Sequence, residues 1–225
     1  LVPVDQTPGP GQIRNSNAHT LVSLLRECGA EPVDRGIVSD DILALEDAIH
    51  AALQAGADAI VTSGGVSAGD RDFIRDLVQR RAEPGHIFRI AMRPGKPLAF
   101  GLFEGRPLFG LPGNPASALV AFEIFVRPAL RKMRGETPIV PATFPVRIPF
   151  QYRYRGGRTF LLRARVEPDF ERGGYSLVPP GPQDSSFLAS MATNNVLVIL
   201  PGDRDRIEPD EVLPAIWLAS ALESR

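Results

Sequence analysis

Residues 62–72 read TSGGVSAGDRD: a hydroxyl pair, two adjacent glycines, a further serine and glycine, and two aspartates, directly after the apolar run Ala59, Ile60, Val61. Glycines let backbone N–H groups approach an anion closely, and the start of a following helix adds favourable partial positive charge. Ser63, Gly64, Gly65 and Ser67 are therefore candidates for holding a phosphate-like group. Asp70 and Asp72 bring negative charge to the same stretch. A metal ion or a proton-transfer role reconciles carboxylates with an anionic ligand, and a plain helix cap accounts equally well for one of them.

A second stretch follows the same logic. Residues 107–125, PLFGLPGNPASALVAFEIF, read as an apolar strand, a stiff turn of Leu111, Pro112, Gly113, Asn114 and Pro115, and a long helix. Pro115 presets an early helical φ and Pro112 stiffens the approach, so the Gly113 and Asn114 amides are expected to point in fixed directions. A tight strand–helix connection without a ligand gives the same pattern. Between the two loops, FRIAMRPGKPLAF places Arg89, Arg93 and Lys96 around a Pro-Gly turn. Three cations beside two strand-end loops read as an anion clamp.

These loops need elements to position them. Asn15 or Ser16 is placed to cap a helix whose apolar positions Leu21, Leu24, Leu25 and Cys28 share one face, ended by Gly29. EPVDRGIV, 31–38, reads as a strand. Ser39 or Asp40 is placed to cap a second helix carrying Ile42, Leu45, Ile49 and Leu53, which Gly56 stops before the buried strand ADAIVTS. A third helix carries Phe73, Ile74, Leu77 and Val78. Strands alternating with helices predict a doubly wound α/β domain with a mostly parallel sheet, and ligands bind such sheets at the carboxyl ends of their strands. The helix from Ala116 to Met133 is apolar on more than one face, which predicts dimerisation through this domain.

Composition shifts near residue 135. All three histidines lie before it, and eleven of the 22 prolines lie from Pro138 onward. The MRGETP segment, 133–138, marks a boundary between an α/β domain of residues 1–136 and a second domain of residues 137–225. In the latter, the period-two runs TFLLRARV and NVLVILP and the Gly173-Gly174 hairpin signal predict a small, mostly antiparallel, barrel-like β domain. The arginine-rich YRYRGGRTFLLRAR reads first as a solvated strand face.

A net charge of −1 gives no whole-protein field towards nucleic acid or an anionic membrane. The single cysteine, Cys28, leaves no intrachain disulfide or multi-cysteine metal cluster. Apolar runs fall far short of a membrane span, and LVPVDQTPGPGQ has no signal-peptide pattern, so the cytoplasm is the expected location.

GQIRNSN, TSGGVSAGDRDF, MRPGKPLAFG and GLPGNPASA occur in the order and spacing of the molybdopterin molybdenumtransferase family, MoeA and the gephyrin E domain, which the chain resembles over essentially its whole length. The resemblance implies molybdenum cofactor biosynthesis: molybdate is inserted into adenylylated molybdopterin and AMP is released, with Mg2+ usually involved. It places the active carboxylates, as catalytic groups and metal ligands, at Asp40 and Asp72. It places basic site residues at Arg89 and Arg93 and the rigid loop at Pro112 and Pro115. The second domain adds Arg163 and Ser185. The family commonly has aspartate at the position of Asn15 and lysine at that of Arg93. It carries two further N-terminal domains and a strand ending Thr-Gly-Asp-Glu ahead of the position of Leu1. Its homodimer completes the cleft with a partner's N-terminal segment, so little turnover is expected of this chain alone. Two alternatives stand beside it. Molybdopterin adenylyltransferase typically has a Gly-Gly-Thr-Gly loop and lacks the β domain, whereas Gly64 to Ser67 read Gly-Gly-Val-Ser. A non-catalytic dimeric scaffold of the gephyrin E-domain type is the other.

Overall fold

Asn15 starts the first helix, α1 (Ser16–Glu27), by accepting the Ala18 N–H on its side-chain oxygen at 3.3 Å. The computed structural model in which this is seen describes residues 1–66, 73–82, 85–185 and 193–218. Leu21, Leu24 and Cys28 are buried on one face, and Gly29 turns the chain out at φ 69°. The next segment is a correction. Residues 31–38 form no strand, because Pro32 interrupts it, Gly36 takes φ 76°, and the Asp34 carboxylate accepts the Gly36 N–H at 2.8 Å in a local turn. The cap of α2 (Ile42–Gln54) is Asp41 rather than Ser39 or Asp40: its backbone is extended and its Oδ1 accepts the Ala44 N–H at 2.9 Å.

The chain continues through β1 (Ile60–Ser63), α3 (Phe73–Arg81), β2 (Gly85–Arg89), β3 (Met92–Arg93), β4 (Pro97–Phe103), β5 (Arg106–Leu111) and α4 (Pro115–Ala121). A π-helical turn (Phe122–Val126) then leads into α5 (Arg127–Met133). Pro128 explains the turn: it has no N–H to donate one turn back, and its ring would clash with the carbonyl there, so the helix widens. The chain divides into two compact units, Leu1–Ile90 with Gly95–Phe122, and Ala91–Pro94 with Glu123–Arg225.

The first unit is built on a four-stranded sheet of order β1-β5-β4-β2. Its α/β character is as expected, but the sheet is mixed: β1 and β5 are parallel, with Ser63 opposite Leu111, while β4 runs antiparallel to both β5 and β2. The β4–β5 connection is a two-residue hairpin, Glu104-Gly105, both at positive φ, so those strands need no helical crossover. As the end strand β1 is half-buried, not fully buried. One face of the sheet, including Ala99, Phe103 and Leu108, packs with Ile74, Leu77 and Val78 of α3 and Ile49 of α2. Ala116 through Glu123 are all buried within the single chain, whereas Ile124 and Phe125 are half-buried and Met133 is exposed.

The second unit adds β6 (Phe144–Ile148), β7 (Tyr152–Arg153), β8 (Thr159–Ala164), β9 (Val166–Pro168), β10 (Tyr175–Leu177), β11 (Val196–Leu200), β12 (Arg206–Ile207) and β13 (Glu211–Trp217). Seven strands form one sheet of order β3-β8-β11-β13-β6-β10-β9, and β12 and β7 form a ribbon. The expected mostly antiparallel domain is present, and β9 and β10 pair across the Gly173-Gly174 turn. Phe160, Leu162, Val196, Val198, Val146 and Ile148 belong to its core. Residues of opposite parity on β8 and β11, namely Leu161, Arg163 and Leu197, are also buried, so these central strands carry near-continuous apolar runs. No helix among the described residues is long and apolar enough to cross a membrane.

Candidate functional site

The parallel pairing of β1 with β5 brings their carboxyl ends together, and with them the two loops singled out in the sequence. Gly64 N donates to Leu111 O at 2.9 Å, extending the ladder one residue past β1. Ser63 Oγ donates to Pro112 O at 3.2 Å. A Cβ on Gly113 would lie 3.6 Å from Gly64 Cα, so the loops are in van der Waals contact. Across this junction reaches Asn17 of α1, whose Nδ2 donates to Ser63 Oγ at 2.6 Å and to Gly113 O at 2.9 Å. Asn17 was not among the expected site residues. Its signal was an asparagine within the first turn of a helix already capped by Asn15, a place where a side-chain amide does little for the helix itself.

The two glycines differ. Gly64 takes φ 97° and has nothing within 4 Å of where a Cβ would stand, so that side of it is open. Gly65 takes φ 70°, and its Cβ would meet Ile74 Cγ1 at 3.2 Å while its carbonyl accepts the Arg75 N–H at 3.1 Å. Gly64 is the open one of the pair, and Gly65 is required by close packing of α3. Thr62 Oγ1 is buried here without a partner among the described residues. Pro115 opens α4 as expected, and Asn114 precedes it with no side-chain cap to the helix. Ser67, Asp70 and Asp72 lie outside the described residues.

The three expected cations divide. Arg89 ends β2, and Lys96 lies where the turn closes through Ile90 N to Lys96 O at 2.9 Å. Both line a cleft of about 650 Å³ beside α3. Arg93 instead sits in β3, paired in register with Phe160 of β8, and belongs to the second unit. Asp40 is exposed and does not cap α2. Among the described residues no group of three or more His, Cys, Asp or Glu side chains converges. Asp72, the other expected metal ligand, lies outside the described residues, and no step is routed through a metal.

In the second unit Arg163 is 0% exposed on β8. Its Nη2 donates to Asp184 O at 3.0 Å, while Nε and Nη1 have no partner among the described residues. Burial pushes its pKa below the ordinary value, against the pull of Asp184 and Tyr152. Gln183 pins the neighbouring loop: Arg163 N donates to its Oε1 at 3.2 Å, and its Nε2 donates to Arg163 O at 3.0 Å. This fixes the segment carrying Ser185 next to the strand that carries Arg163. A buried guanidinium with two unsatisfied donors is costly unless an anion answers it.

Residues 2–132 match the family described as "Probable molybdopterin binding domain", and residues 145–218 match the "MoeA C-terminal region (domain IV)". The chain is 37% identical over 210 residues to a molybdopterin molybdenumtransferase of Nostoc, covering 89% of this chain and 47% of that protein. It is 33% identical to molybdopterin molybdenumtransferase 1 of Mycobacterium tuberculosis, covering 97% and 52%. A solved molybdopterin biosynthesis MoeA protein from Pyrococcus horikosii superposes with a TM-score of 0.77 at 26% identity, covering 96% of this chain and 51% of that one. The chain thus spans about half the length of the curated relatives it matches.

Proposed function

The chain belongs to the molybdopterin-binding family that carries a MoeA C-terminal region, and from that membership we propose that it works in molybdenum cofactor biosynthesis. The reaction is insertion of molybdate into adenylylated molybdopterin with release of AMP. The observation that carries this reading is the junction at the ends of β1 and β5, where Asn17 ties Ser63 and Gly113 together and leaves Gly64 open. Such a junction presents fixed backbone dipoles to a phosphate without charge of its own to desolvate. Arg89 and Lys96 supply cations from the same unit, and Arg163 offers two buried donors suited to an oxyanion.

The match to the MoeA C-terminal region favours this reading over the adenylyltransferase, which lacks that domain. The division into residues 1–136 and 137–225 is supported by the limits of the two family matches. Magnesium, the carboxylates Asp72 and Asp40, the roles of Ser67, Arg93, Pro112, Asn114, Pro115 and Ser185, a homodimer and a cytoplasmic location stay in the proposal on the strength of the resemblance. Within the helix 115–133, Leu119, Val120, Phe122 and Val126 are buried in the chain, while Ile124 and Phe125 are half-buried and remain available to such a dimer.

Titration with molybdopterin, together with AMP release from the adenylylated form in the presence of molybdate, tests the reading. Pterin binding is expected in the wild type. In the full-length protein Asp72→Asn is expected to keep pterin binding and lose AMP release by orders of magnitude. A chain that binds no pterin overturns the proposal.

A further inference from the structure

We propose that the ribbon of β7 and β12 is a docking surface for an extended acidic segment of a partner protein, met by Arg153 and Arg155. The stretch 152–158, YRYRGGR, is clamped by its backbone to residues 201–207. Tyr152 and Arg153 pair in register with Ile207 and Arg206. The Tyr154 N–H donates to Asp205 O at 2.9 Å, which carries the pairing one residue past β7, and the Gly157 N–H donates to Gly202 O at 2.7 Å. A Cβ on Gly156 would stand 2.6 Å from Arg204 O, so the two backbones touch and hold each other in place. The rings between the arginines turn inward: Tyr152 and Tyr154 pack against the core of the second unit, and the Tyr154 hydroxyl donates to Pro201 O at 2.7 Å. Strand alternation sends Arg153 and Arg155 the other way, and both are exposed.

Register makes this face costly for the chain by itself. The bond from Tyr154 to Asp205 marks theirs as a hydrogen-bonded pair, so Arg153 and Arg206 form the neighbouring non-hydrogen-bonded pair, in which facing side chains approach most closely. Like charges placed there repel. Arg206 is answered by Glu208, and Arg204 by Glu211 through bonds of 3.2 and 2.6 Å. Arg153 and Arg155 form no ion pair among the described residues. Side chains two apart on one strand face stand about 7 Å apart, and carboxylates at alternate positions of an extended peptide share that spacing. Each guanidinium can then take one carboxylate in a forked pair. A single-stranded nucleic acid fits less well, because both tyrosines are committed to the core and leave no ring for a base to stack on. A net charge of −1 likewise gives no field towards a long polyanion.

Fluorescence anisotropy at low ionic strength tests the surface with three labelled probes: a short peptide with glutamate at alternate positions, the same peptide with glutamine in their place, and a short DNA duplex. The glutamate peptide is expected to bind about tenfold or more tightly than the glutamine peptide, and more tightly than the duplex. Arg153→Thr combined with Arg155→Thr, which keeps the strand preference, should remove that margin. Arg153→Lys with Arg155→Lys should keep part of it, because charge remains without the fork. Arg165→Ala, which removes an exposed arginine paired with Glu167, should leave the margin unchanged. Urea unfolding separates docking from a structural role: freed of the facing Arg206, the Arg153→Thr chain should be at least as stable as the wild type. A marked loss of stability in Arg153→Thr assigns this arginine to the fold and overturns the proposal. Equal binding of the two peptides, an intact margin in the double threonine variant, or no peptide binding at all also overturns it. Tighter binding of the duplex than of the glutamate peptide overturns it in favour of a nucleic-acid surface.

Discussion

The loops at the ends of β1 and β5 and the strand β8, the two places proposed above to hold an anion, present their donors by opposite means. The loops use neutral groups: an open glycine, carbonyl-anchored turns, and the amide of Asn17. On β8 the donor is a full charge at 0% exposure. Neutral dipoles are held in place at a cost of about 1 kcal/mol per hydrogen bond, whereas a buried charge without a partner costs several. The first region is therefore expected to be stable with or without a ligand, and the second to be stabilised by one.

Gly65→Val is the largest expected break in this contrast. A β-branched residue at φ 70°, 3.2 Å from Ile74, should destabilise the first unit by about 3 kcal/mol or more in urea unfolding. Gly64→Ala, which meets open space, should cost only about 1 kcal/mol yet weaken phosphate binding. Equal losses for the two would erase the distinction between the packed glycine and the open one.

Arg163→Met sharpens the other side. Replacing this only partly satisfied guanidinium by an apolar chain should leave stability unchanged or raise it by about 1–3 kcal/mol, while molybdate binding by calorimetry is lost. A large fall in stability would instead make the bond to Asp184 the purpose of this arginine. Asn17→Ala comes next. Loss of both bonds should cost about 1–2 kcal/mol and speed hydrogen exchange at Gly64, whose N–H bonds Leu111 across the same junction.

Glu211 gives the smallest effect and a pH signature. The Glu208 N–H and the Arg204 guanidinium hold its carboxyl below the ordinary value. Its folded pKa is lower than its unfolded one, so the stability it adds is complete above about pH 4.3 and is lost as pH falls through the folded value. The melting temperatures of wild type and Glu211→Gln should differ at neutral pH and converge in acid.

Much of this was legible in the chain itself. Apolar periodicity located α1, α2 and α3, Gly29 and Gly56 marked the ends of the first two, and Pro115 marked the start of α4, because caps and breakers act over a few residues. The segment 31–38 misled for a local reason, since the Asp34 turn competes with a strand that the apolar residues alone would suggest. The choice among Ser39, Asp40 and Asp41 as a cap turned on one backbone conformation, which neighbouring polar residues do not distinguish.

The strand order could not be read in the same way. Alternating helices and strands imply parallel crossovers, and only the short Glu104-Gly105 hairpin, which sets β4 antiparallel, hinted at the mixed sheet. Composition and motif spacing determined by themselves that this protein is an α/β unit with a β unit behind it, bearing glycine loops and cations. Those properties come from local backbone preference and side-chain type. Tertiary structure alone decided that Asn17 joins two loops far apart in the chain, that Arg93 parts from Arg89 and Lys96, and that Arg163 is buried. Each of these depends on strand register and packing between distant residues, and neither is encoded in any one stretch of sequence.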